Sequence, residues 1–228
     1  MDTTQTGPKA TTSLTMTVDD LHALIQPVLR FADTKRSFPL LDSVLIRSRG
    51  AHVTATATDR YRLAMQRVTP DAAPAPGFRV ILRSGDARHL LVTLRAGKGL
   101  QPAAVTLTAA DGNLTVRTTG SLIDATETTL VYNTVTEEYP QVDTLLTKAL
   151  GALAGDNPGG ADPLFFSPAL LVDLKTAAGG HPLVMHPSRP AAGKLVTAGP
   201  DFIALVMPVV SAPLPEMASW LPLLDDVR

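Results

Sequence analysis

Cysteine is absent from the 228 residues. That absence excludes a disulfide framework and any thiolate metal site, and it fits a reducing cytoplasm. No apolar run approaches the roughly 18 residues that a membrane helix needs, and no signal-peptide core follows the first residues. The expected setting is therefore cytoplasmic, with no membrane partner. An excess of charge of one sign is lacking too. The formal net charge of −1 argues against gripping nucleic acid by overall positive charge, but not against surrounding it loosely with basic groups gathered on one face.

Catalytic signatures are missing as well. There is no Gly-x-Ser-x-Gly elbow, and neither Gly97-Lys98 nor Gly193-Lys194 has the upstream glycine of a phosphate-binding loop. The five histidines (His22, His52, His89, His181, His186) are scattered, whereas zinc wants three or four ligands with a supporting shell. Glu137-Glu138 and Asp225-Asp226 are adjacent acids of the kind that loops and tails leave solvated. The reading is of a protein without catalytic residues, metal or cofactor, and not an enzyme.

What is present is a pattern that recurs. Leu21, Leu24, Ile25, Val28 and Leu29 fall at helical spacing within residues 18–32, with Asp19 and Asp20 in the first turn and a kink or a break predicted at Pro27. Alternating segments at 43–49, 52–58 and 62–68 read as strands, the first two joined at Arg49-Gly50. After a Pro/Ala-rich loop at 70–77 the order restarts: strand 78–82, helix 85–95, a hairpin of 105–109 and 113–118 about Asp111-Gly112, and strand material at 121–132. Residues 149–163, rich in Gly, Pro and Ala, read as a linker. A third start follows with strand 164–166, helix 168–178 ended by Gly179-Gly180, and strands at 183–186, 193–198 and 202–208. Three units of antiparallel sheet with one helix each make an α+β protein. Residues 1–13, polar and Thr-rich, are expected to be disordered.

Three segments carry a resemblance. Ala57-Thr58-Asp59-Arg60-Tyr61-Arg62-Leu63-Ala64 resembles the Ala-Thr-Asp-Gly-His-Arg-Leu-Ala motif of the bacterial DNA polymerase III beta subunit, the sliding clamp. Glu138-Tyr139-Pro140 with Leu145 is similar to that family's Phe-Pro-Asp-Tyr segment, and residues 202–210, with Met207-Pro208, to its Tyr-Val-Val-Met-Pro ending. The resemblance spans most of residues 14–210. It implies a DNA-clamp fold, with a complete clamp-like domain at 14–148, a linker at 149–163, a partial second domain at 164–210 and a tail at 211–228.

It also implies a hydrophobic pocket for short peptides of polymerases, loaders and repair proteins. Its wall here would be Thr58, Arg60, Tyr61, Arg62, Leu63, Pro140, Leu145, Leu205, Met207, Pro208 and Val209. Leu63, Leu145, Met207 and Val209 offer an apolar floor for Leu or Phe anchors, and Arg60 and Arg62 stand at the rim for carbonyls or carboxylates. Leu63 and Val209 also alternate as ordinary strand-core residues do. Arg60-Tyr61 replaces the motif's Gly-His, and Val210 stands where a basic residue is common.

A second implied feature is a helix layer that faces double-stranded DNA without sequence preference, touching phosphates through basic side chains. The candidates are Arg30, Lys35, Arg36, Arg83, Arg88, Arg95, Lys98 and Lys175. The resemblance thus implies a homo-oligomeric processivity factor that holds DNA polymerase and other peptide-bearing partners on DNA. The first half of the last domain is missing from this pattern, so three outcomes stay open for a ring. Two chains complete each other's half domain, the half domain serves directly as a segment, or no ring forms. The last is the alternative reading: a clamp-like binding module that captures clamp-binding peptides without encircling DNA, and so regulates or competes with a replisome. The tail contains Trp220-Leu221-Pro222-Leu223-Leu224, which looks somewhat like a clamp-binding peptide.

Overall fold

The computed structural model describes residues 11–33, 38, 40–95, 104–119, 127–153, 166–186 and 193–207. Of the residues singled out above, Lys35, Arg36, Gly97, Lys98, Pro208, Val209 and Val210 lie outside these, as do residues 121–126 of the expected strand, residues 154–163 of the expected linker, strand residues 164 and 165 and the whole 211–228 tail. No helix among the described residues is long and apolar enough to cross a membrane.

The first unit opens with β1 (Thr12–Met16) and α1 (Val18–Ile25). β1 begins inside the segment expected to be disordered. Its Thr-rich sequence suits a strand, and its alternation buries Leu14 and Met16. Thr17 caps α1 by accepting the Asp20 N–H at 3.0 Å, and Asp19 and Asp20 sit where the helix dipole favours acids. The helix stops before Pro27, and a 3-10 turn (Leu29–Phe31) takes over. β2 (Ser43–Arg49), β3 (His52–Thr58) and β4 (Arg62–Val68) form the meander.

The second unit repeats this order with β5 (Arg79–Arg83), α2 (Ser84–Arg95), β6 (Ala104–Ala110), β7 (Asn113–Thr119) and β8 (Thr128–Asn133). The β6–β7 turn holds Asp111 and Gly112 at φ 47° and 76°, the left-handed pair that a two-residue hairpin loop requires. α3 (Val142–Leu153) comes next, and α4 (Pro168–Ala177), β9 (Leu183–Met185), β10 (Lys194–Ala198) and β11 (Phe202–Val206) complete the order. α3 was not anticipated. It runs through Leu153, into residues read as linker, and the spacing of Val142, Leu146 and Ala149 on its sheet side is helical.

The strands form two antiparallel sheets, a four-stranded one in the order β1-β6-β7-β8 and a seven-stranded one in the order β5-β2-β3-β4-β11-β10-β9. The first two units exchange their opening strands, since β1 pairs with β6 and β5 pairs with β2. The third unit adds its three strands to the first unit's sheet through β11 and β4, with Leu205 opposite Leu63.

Both faces of the seven-stranded sheet are used. Val44, Ile46, Ala55, Ala57, Ala64, Ala204 and Val206 point to the face packed by α1, α2, α4 and the 3-10 turn, in one core with Leu21, Leu24, Leu90 and Leu174. Leu45, Leu63, Ile81 and Leu195 point the other way, into a smaller core with Tyr139 and with Val142 and Leu146 of α3. This two-sided burial makes β2 and β3 read as nearly continuous buried runs.

Candidate functional site

The β3–β4 turn is built by Asp59, whose carboxylate accepts the backbone N–H of Tyr61 at 3.0 Å and of Arg62 at 2.8 Å. The Thr58 hydroxyl donates to the Arg62 carbonyl at 2.7 Å and accepts the Arg60 N–H at 3.3 Å. Arg60 adopts φ 79°, a left-handed conformation that glycine takes without strain and other residues take at about 1 kcal/mol. It stands where the resembled motif has glycine, so the bend is kept although the residue that suits it is not. Its guanidinium lies 3.8 Å over the Phe38 ring.

Next to this turn, Leu63, Leu205 and Leu195 stand side by side across β4, β11 and β10. Met207 prolongs β11, its N–H donating to the Tyr61 carbonyl at 2.9 Å. A Cβ at Gly193 would come within 3.3 Å of the Met207 sulfur and 3.0 Å of Leu205 Cδ1, so the backbone of Gly193 is the surface on which these side chains rest. α3 lies over the same face. Asp143 in its first turn takes a bidentate pair from Arg47 and a 2.7 Å bond from Arg49 Nη2. Hydrogen bonding from Arg47, reinforced by the charge of both arginines, holds the Asp143 carboxyl below the usual carboxylate range. At 100° per residue, Leu145 lies about 200° round the helix from Asp143, on the flank away from β2. Tyr139 is buried beneath, its hydroxyl directed at the carbonyls of Ser43 (3.4 Å) and Thr56 (3.3 Å), and burial pushes its phenol well above the ordinary value.

The result is an apolar corner at the β4–β11–α3 junction, floored by Leu63, Leu195 and Leu205. Tyr61, Leu145 and Met207 are 68%, 50% and 45% exposed on it. Pro140 is half-buried at the start of α3. Gly193, Leu195 and Leu146, missed in the sequence, belong to the same corner. The pairing of β10 with β11, which brings them there, has no local signal.

Arg62 requires a correction. Strand alternation sends it to the opposite face from Leu63, toward the helices. There Nε bonds Asp59 at 2.8 Å, Nη1 bonds Asp173 of α4 at 2.6 Å and Nη2 bonds the Arg30 carbonyl at 3.0 Å. Its guanidinium also lies 5.3 Å from the Phe31 ring centroid. Arg62 is a strut between the first and third units, and not part of the corner's rim. Thr58, buried and bonded within its own turn, shapes the corner from below.

The basic candidates separate in the same way. Arg88 and Lys175 are exposed on α2 and α4, and Arg95 is the last residue of α2. Arg30, at the 3-10 turn, pairs with Asp173 at 3.5 Å. Arg83 is a second correction: it alternates with Arg79 and Ile81 and so faces away from α1 and α2. Within α1, α2 and α4 the charge is not basic. Arg88, Arg95 and Lys175 stand against Asp19, Asp20, Asp86 and Asp173. Among the described residues no three His, Asp or Glu side chains are placed to hold a metal. A cavity of about 240 Å³ between α1 and the end of α4, lined by Pro27, Ala178, His181 and Phe202, lies on the helix side, away from the corner.

No protein-family model matches the chain, and no curated protein matches its sequence. Solved structures do match. The DNA polymerase sliding clamp from Pseudomonas aeruginosa superposes with a TM-score of 0.68 at 17% identity, covering 92% of this chain and 68% of that one. The DNA polymerase III beta chain from Streptococcus pneumoniae gives 0.70 at 16% identity, with 92% and 69% covered. The beta subunit from the DNA polymerase of Streptococcus pyogenes gives 0.68 at 19% identity, with 92% and 68% covered. The α+β architecture of antiparallel sheets with few helices is that of the sliding clamps.

Proposed function

We propose that this chain, having the sliding-clamp fold, works as a clamp-like processivity factor. It catalyses nothing and tethers DNA polymerase and other replication proteins by gripping a short peptide of each. The apolar corner carries this reading: Tyr61, Leu145 and Met207 stand exposed over a floor of Leu63, Leu195 and Leu205, beside a helix pinned by Arg47 and Asp143. Such a site suits Leu or Phe anchors, and the Met207 thioether adapts to different shapes. Pro208 and Val209, which follow Met207 directly, are included in the proposed wall. The complete domain at 14–148, the partial one at 164–210, a homo-oligomeric assembly around double-stranded DNA and a cytoplasmic setting belong to the same proposal.

Fluorescence anisotropy with labelled decapeptides bearing Leu and Phe anchors tests it. The proposal predicts micromolar binding that falls at least tenfold with Leu145→Asp, about 1.4 kcal/mol, while the melting temperature holds. Binding that ignores this exposed substitution contradicts the corner.

One observation favours the second reading, a module that captures peptides without encircling DNA. A layer that touches phosphates needs a surplus of cations, yet within the described helices α1, α2 and α4 four aspartates stand against three lysines and arginines, so a surplus rests on the flanking segments alone. Arg30 is moreover engaged with Asp173. Light scattering and retention on circular DNA separate the two: a monomer that leaves circular DNA as fast as linear DNA is the module, and an oligomer held only by the circle is the ring.

A further inference from the structure

The described chain ends at Met207, inside the corner itself. Thirteen residues further on comes the most apolar stretch of the remaining sequence, Trp220-Leu221-Pro222-Leu223-Leu224, followed at once by Asp225-Asp226. The corner has a matching arrangement, with exposed apolar Tyr61, Leu145 and Met207 flanked by two exposed cations, Arg60 on the turn and Lys148 one helical turn after Leu145. We propose that residues 220–226 of the same chain occupy this corner, the apolar side chains on its floor and the aspartates at its cationic rim, and so hold it shut against weaker peptides. The inference rests on the peptide-binding reading above and specifies how that site is regulated.

Reach presents no obstacle. Thirteen residues reach at most about 45 Å, enough to leave Met207 and return to its surroundings. A tether of that length presents its segment at about millimolar local concentration. A tail segment with an intrinsic dissociation constant near ~100 µM would then fill the corner about nine-tenths of the time and weaken competing peptides about tenfold.

Trp220 is the only tryptophan, so its fluorescence reports on the tail in the full-length chain. The expected emission is blue-shifted, poorly quenched by iodide and unchanged on dilution. It should move to the red when either Leu145→Asp or Met207→Asp, on different elements and both at exposed positions, is introduced. In parallel, the full-length L221D/L223D variant should bind a labelled peptide of residues 217–226 about ten times more tightly than the unaltered chain does. Emission insensitive to both corner substitutions overturns the proposal, as does a blue shift lost on dilution, which would place the tail on a second copy. If emission is insensitive while Leu- and Phe-anchored peptides still bind in a Leu145-dependent way, only the regulation falls. If no such peptide binds to L221D/L223D, the peptide-binding reading falls with it.

Discussion

The two faces of the seven-stranded sheet are made by alternate residues of the same strands, yet they close differently. On the helix face, α1, α2, α4 and the 3-10 turn share one large core with the four-stranded sheet. The charges there are engaged, Arg62 with Asp59 in its own turn and, across units, Arg62 and Arg30 with Asp173. On the opposite face α3 covers a small core and is pinned at its first turn by Arg47 and Arg49 on Asp143, leaving large apolar side chains in solvent at its margin. Most of the buried apolar side chains among the described residues lie on the first face. The second has surface to spare for a ligand, and local openings of low free energy are expected there.

That contrast can be broken in measurable ways. The largest effect is expected from Leu24→Ala. Leu24 is fully buried in the helix-face core, and truncating such a leucine costs about 3 kcal/mol. Urea denaturation measures it, and a loss below about 1 kcal/mol would mean that this face is not the main core. Arg62→Ala should cost about 2 kcal/mol, since it removes three charge-assisted bonds at a partly buried site. A double-mutant cycle with Asp173→Ala should show a coupling of about 1 kcal/mol for the shared bond, and additive losses would contradict the strut.

Tyr139→Phe is the smallest, at about 1 kcal/mol, and it carries a pH signature. Because burial raises the Tyr139 phenol above its ordinary value, the folded state favours the neutral form. Its contribution is complete below about pH 10, the unperturbed tyrosine value, and is lost progressively above it. The unaltered chain should therefore lose stability faster than the Phe variant above that pH. Parallel curves would contradict the buried hydroxyl.

Much of the fold was legible because its signals are local. Asp111-Gly112 demanded a hairpin, Pro27 stopped a helix, and Gly179-Gly180 ended α4 with both residues at positive φ. β1 was hidden because five residues with two apolar positions make too short an alternation to stand out from a Thr-rich tail. α3 was hidden by the neighbouring Gly, Pro and Ala. The recurring strand–helix–meander order was legible, but the exchange of β1 and β5 between units was not, since pairing partners are chosen by tertiary packing.

In the site, the motif placed the turn and Met207 together, and the backbone does join them through the Tyr61 carbonyl. What the motif could not convey was direction. Arg62 and Leu63 are neighbours in sequence and face opposite sides of the sheet, and Arg83 faces away from the helices for the same period-two reason.

Hydrogen exchange of the full-length chain, with and without a saturating Leu- and Phe-anchored peptide, compares the two faces in one experiment. The account predicts slower exchange at the amides of residues 59–62, of Met207 and of α3, with α1 and α2 unchanged. Protection that falls instead on α1, α2 or α4, leaving α3 and the β3–β4 turn as they were, would contradict it.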